Sequence, residues 1–185
     1  MRRKLSNVIS VLWSMPRMLF RKIVHGGRFK CGLIERFSPN VVLEIWHGGR
    51  VELGKRVRAH SGTIFRVLNN GKLKIENDVR INYNCIFMCM DSITVGAGTE
   101  FGPSVYVYDH DHDYRVGLEV DEYKTSPVVI GRNCWIGANT MILRGTKIGD
   151  NCVVGAGCVL NGEYPDNTVI IQKRETVTKT YEVKR

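Results

Sequence analysis

Chemistry concentrates in one short polar run, Asp109-His110-Asp111-His112-Asp113. The chain has 5 histidines, and two of them stand here. Imidazole is the common general base near neutral pH, and a neighbouring carboxylate can orient the ring and hold its proton. A zinc centre is a competing reading and needs convergent nitrogen or sulfur ligands. No Cys-x-x-Cys pair exists, and a third histidine would have to come from His25, His47 or His60, far upstream. No metal is expected on that count. The remaining reading is a solvated loop whose charges carry no chemistry.

The run opens a polar insertion, residues 109–127, in a chain otherwise ruled by a period of six. Apolar residues return at Ile130, Ile136, Ile142, Ile148, Val154 and Leu160. Glycine follows four of the first five, and a small residue stands four places past each of those five: Cys134, Thr140, Thr146, Cys152, Cys158. A helix smears such a period around its cylinder, and a flat strand needs a period of two. A chain that turns a corner every six residues satisfies it, so the pattern predicts a β-solenoid. Upstream the same spacing links Leu53, Ala59 and Phe65, then Ile75, Ile81, Phe87 and Ile93, before slipping by two to Val95, Phe101 and Val107. Such slips predict bulged corners or a break between coils. A long loop on a rigid scaffold is a usual place for function.

The 185 residues suffice for one domain with a short arm, and the formal charge of +9 predicts an anionic partner. Of the 6 cysteines, Cys85, Cys134, Cys152 and Cys158 fall at inward small positions, which makes them reduced, structural groups and points to a cytoplasmic protein. Residues 1–30 hold Arg2, Arg3, Lys4, Arg17, Arg21, Lys22, Arg28 and Lys30 and no acid, with apolar residues at helical spacing. Two readings follow. The arm is an amphipathic helix that caps the solenoid or packs on a neighbouring subunit, or it lies on an anionic membrane face, making the protein peripheral there. Pro16 should kink or divide it. The expected organisation is a basic arm at 1–40, the solenoid at 41–170 with its loop, and a basic tail at 171–185.

The ungapped stretch from Gly102 to His112 and the segment from Pro127 to Asn139 resemble the hexapeptide-repeat acyltransferases, in particular the galactoside, maltose and capsular polysaccharide O-acetyltransferases. The resemblance covers about residues 53–170. It implies an all-β fold, a left-handed parallel β-helix of triangular section, assembled as a homotrimer with active sites between subunits. It implies acetyl-CoA as acyl donor and a sugar or glycan acceptor. The ungapped register lands the catalytic histidine on His112, with His110 beside the substrate. Asn82 matches an acceptor-binding asparagine; its other reading is a corner residue with a left-handed backbone. The family's second acceptor carboxylate falls on Met90, and Asp91 is adjacent, although one step along a strand reverses the face. On the donor side Trp135 matches a wall of the CoA slot, and Ala138 and Ala156 match its small-residue contacts. Asn161 and Gly162 replace an expected Thr-Lys pair. Lys179 matches a phosphate-binding base, and Lys173 and Arg174 are further candidates.

The function expected from these residues is direct O-acetyl transfer to a sugar or polysaccharide-precursor hydroxyl. An N-acetyltransferase of an amino sugar on the same scaffold is the rival enzyme, and a non-catalytic solenoid assembly protein is the rival outside catalysis. The basic charge lies mostly in the termini with no recognised DNA- or RNA-binding motif, so nucleic acid is not an expected partner.

Overall fold

The computed structural model describes residues 2–32, 34–115, 122–173 and 175–180. Short parallel strands build a three-faced prism. The first face holds seven strands, from Phe29–Lys30 to Glu163–Tyr164. The second holds seven, from Arg36–Phe37 to Val169–Ile170, and the third six, from Val42–Ile45 to Val159–Leu160. Within the three faces, strands that follow one another in sequence lie on different faces, so every pairing of the prism joins one coil to the next. The expected solenoid is present, and it starts at Phe29, inside the segment read as arm.

Coil length explains the slipping frame. Hydrogen bonds from a coil to its neighbour step 22 residues at Asn77–Lys55, 20 at Glu100–Arg80, 18 at Asp150–Arg132 and 16 at Asp166–Asp150. The early coils carry four-residue strands on the first and third faces, and the late coils carry strands of two or three. The strict six-residue signal therefore belongs to the 18-residue coils. Nothing is broken where the frame shifts: Ile93 and Val95 both point inward from the four-residue strand Ser92–Val95, and that longer strand supplies the two extra residues.

Inward residues alternate with outward ones along each strand, and Phe37, Phe65, Phe87 and Phe101 form an aromatic column with successive centroids 5.7, 5.3 and 5.3 Å apart. The small corner residues do more than fit. Cys134 Sγ and Cys152 Sγ donate to Gly149 O (3.1 Å) and Pro165 O (3.2 Å), and the Thr140 hydroxyl donates to Gly155 O (3.2 Å). A buried corner carbonyl needs a donor, and a small side chain that carries one meets both demands. Left-handed corners recur in register at Asn84, Ser104 and Asn139, where short polar side chains tolerate positive φ.

A cap of different extent stands at each end. The helix Arg2–His25 covers the first coil as one continuous element that Pro16 does not divide. Met18 enters the core, Ser14 Oγ accepts the Phe37 N–H at 2.8 Å, and Arg17 donates to the carbonyls of Pro39 (2.8 Å) and Val41 (2.7 Å). At the far end the third face has no seventh strand among the described residues. The Gln172 side chain supplies one amide in its place, accepting from Val159 N–H at 2.8 Å and donating to Val159 O at 2.6 Å.

Glu35 is an anomaly in the first coil. It is 1% exposed; Oε2 accepts the Val57 N–H at 2.7 Å and Oε1 has no hydrogen-bond partner among the described residues. Burial pushes its carboxyl from 4.5 up to about 7. Between these values the folded chain holds a proton that the unfolded chain has lost. Stability should fall as pH rises across that window, by up to about 3 kcal/mol, and level off above it. Denaturant unfolding across this range checks the slope, which Glu35→Gln should flatten.

Candidate functional site

The insertion leaves the prism at a corner between the third and first faces. His110–His112 and Tyr123–Thr125 pair as an antiparallel hairpin, with His110 opposite Thr125, Asp111 opposite Lys124 and His112 opposite Tyr123. Strand alternation places both imidazoles on one side and Asp111 on the other. Two ion pairs brace the hairpin: Asp111 Oδ2 with Arg144 Nε (2.6 Å), reaching the next coil, and Asp113 Oδ1 with Lys124 Nζ (2.8 Å). Those two carboxylates are thereby engaged away from the histidines.

Asp109 is the third carboxylate, and it is wholly buried. It accepts the Met90 N–H at 2.9 and 3.0 Å and the Asp91 N–H at 2.8 Å, both from the preceding coil's corner. Its Oδ1 lies 2.9 Å from His110 Nδ1. Against an ionised carboxylate, which only accepts, Nδ1–H is the donor, and a neutral ring then carries its free lone pair on Nε2. Burial, and then the Asp109 charge, push the neighbouring Cys89 thiol up, so it stays protonated. The His110 side chain is 9% exposed and meets the Tyr123 ring edge-on at 5.5 Å. His112 is exposed, its ring tilted 4.6 Å from the same tyrosine. Beside the hairpin lies a shallow depression of about 460 Å³ lined by Asn69, Met90, Glu122, Tyr123 and Thr125. Tyr123 and Arg144 are the participants that the sequence did not single out, because the hairpin register brings in the first and the stacking of the next coil the second.

The other candidates divide between two edges of the third face. Asp91 shares the hairpin's edge, in a bend rather than a strand, so the face-reversal argument does not apply to it. Asn161 and Gly162 lie on this edge two coils beyond. Asn82, Ala138 and Ala156 sit on the opposite edge, across a strand about 13 Å long. The Asn82 side chain accepts the Tyr83 N–H at 2.9 Å, and the left-handed residue of that corner is Asn84 (φ 58), not Asn82. Trp135 is 53% exposed on the second face, between Glu100 and Val153. Lys173 and Lys179 are exposed beyond the last strand, and Arg174 lies outside the described residues. No group of three metal-ligating side chains occurs among the described residues.

Residues 127–162 match the family model described as bacterial transferase hexapeptide (six repeats). The chain is 33% identical over 102 residues to WbbJ of Escherichia coli, named as a candidate lipopolysaccharide biosynthesis O-acetyl transferase, covering 50% of this chain and 52% of the relative. It is 34% identical over 79 residues to the galactoside O-acetyltransferase of the same organism, covering 42% and 39%. The crystal structure of the hexapeptide-repeat acetyltransferase VCA0836 of Vibrio cholerae, complexed with acetyl coenzyme A, matches with a TM-score of 0.58 and 30% identity over 66% of this chain and 65% of that one. The chain spans about half or less of the length of these curated relatives. Matched repeats, three-faced coils and relatives agree: the chain carries a bacterial transferase hexapeptide segment and is similar to the hexapeptide-repeat acetyltransferases.

Proposed function

We propose that this chain is an acetyl-CoA-dependent O-acetyltransferase acting on a hydroxyl of a sugar or polysaccharide precursor. The observation that carries the reading is the Asp109–His110 pair. A buried carboxylate fixes the ring and its tautomer, and Nε2 is the nitrogen left to work as a base. His110 takes the acceptor hydroxyl's proton through Nε2, the freed oxygen attacks the thioester carbonyl carbon, and the imidazolium returns the proton to the departing thiolate. The ungapped register favours His112 for the same task, and its ring is exposed on the same side of the hairpin. Geometry favours His110, because His112 has no carboxylate partner among the described residues.

A homotrimer with sites between subunits is part of the proposal. The candidate residues occupy two edges of one chain, so a single site that uses both edges needs a second copy. An outward apolar column supports such packing: Val42, Ile64, Ile86, Tyr106, Met141 and Val159 stand in register along the third face. Ala138 and Ala156 offer side chains small enough for a donor to approach the corner backbone. Trp135 would wall the slot, Asn161 and Gly162 would flank it, and Lys173, Arg174 and Lys179 would meet phosphates. Asn82 and Asp91 would contact the acceptor. Two relatives of 33 and 34% identity carry O-acetyltransferase names, which supports transfer to oxygen over nitrogen.

His110→Ala should lower turnover by about 100- to 10,000-fold with little change in CoA affinity, while His112→Ala should cost less than about tenfold. Steady-state kinetics with CoA binding measured separately checks both; the reverse result moves the base to His112. Asp109→Asn places an amide N–H₂ against backbone donors and should cost about 1–3 kcal/mol of stability, read by thermal denaturation. An acceptor panel with product mass analysis separates O- from N-transfer. A melting temperature unmoved by acetyl-CoA would favour the assembly-protein alternative.

A further inference from the structure

The N-terminal helix is amphipathic with its polarity reversed. Between Val8 and Val24 every exposed residue is apolar, and the charged residues Arg17, Arg21 and Lys22 are half-buried against the solenoid end. Leu12 is 64% exposed, Phe20 63% and Ile23 74%, with Trp13 and Leu19 on the same outer half. At 100° per residue these positions form one uninterrupted apolar arc. An apolar surface of this extent is costly in water and marks a contact.

We infer that this arc docks on an anionic lipid bilayer, with the helix lying in the interface. Charge selects the occupant. Residues 1–30 contain eight basic residues and no acid; Arg2, Arg3 and Lys4 open the helix, and exposed Arg28 and Lys30 follow it. A second copy of the same arm would bring like charges together, whereas an anionic headgroup layer neutralises them while its acyl chains accept the arc. Among the described residues no helix is long and apolar enough to cross a membrane, so the helix rests on the bilayer. Its inner half is spoken for by Met18, Ser14 and Arg17 on the first coil, so docking leaves the solenoid folded beneath it. This surface is independent of the transfer chemistry.

Co-sedimentation of the full chain with phosphatidylcholine vesicles, with and without phosphatidylglycerol, tests the inference. Binding should require the anionic lipid, weaken with salt and shift Trp13 emission to the blue, a shift that Trp13→Phe removes. The combined change Leu12→Glu, Phe20→Glu and Ile23→Glu should reduce partitioning by at least about a hundredfold, since each change withdraws a large apolar side chain from the bilayer. Circular dichroism and melting curves confirm that the variant is folded; the lipid and salt dependence of the unaltered chain needs no variant at all. Failure to bind, or equal binding to neutral vesicles, overturns the assignment. So does lipid-free self-association that the triple change abolishes, because the arc would then cover a second copy.

Discussion

One buried carboxylate holds the candidate site together. Asp109 has its charge taken out of water, which is costly unless donors surround it. The preceding coil supplies them from the Met90 and Asp91 peptides, and His110 supplies another. The consequence is mechanical as well as electrostatic. The hairpin springs from the residue that is riveted to the coil below, so a two-stranded element that would be marginal alone inherits the rigidity of the stack. Asp111 and Arg144 tie it to the coil above in the same way. A loop held from both sides can present an imidazole at a fixed place, which a solvated polar run could not do.

How much of this was legible depends on which signal each feature leaves in the chain. The 18-residue coils read plainly, because corners, inward residues and small residues all recur at one spacing. The 22-residue coils blurred it, since longer strands change the distance between corners without changing the alternation within them. The first coil was hidden in the basic arm: Phe29 and Phe37 each contribute two-residue strands that carry no period. At the site, the Asp-His run was legible and its wiring was not. Sequence adjacency makes three carboxylates equal candidates for orienting a ring; only strand alternation and the two ion pairs separate Asp109 from Asp111 and Asp113. Likewise Asn82 and Asn84 are the same residue type two places apart, and which one adopts positive φ is a property of the corner, not of the residue.

The corner chemistry also revises the role of the cysteines. Their spacing marks them as small and inward, and they are. Their thiols in addition donate to carbonyls that the turn aims inward, a task shared with threonine at equivalent corners. Size alone does not specify such a position: at Cys134 alanine would fit and would remove the thiol donor from Gly149 O.

A stack of parallel coils has two terminal rungs whose peptide groups could template further rungs, and so it is half-way to a fibril. Here the helix sits over one terminal rung, and the Gln172 amide occupies the hydrogen-bonding groups of Val159 at the other. The helix therefore blocks one end, while at the other the plug guards one face of three, and the last strands of the first and second faces have no further partner among the described residues. A chain shorn of the helix would bare a second open rung, and one prism could then stack on the next.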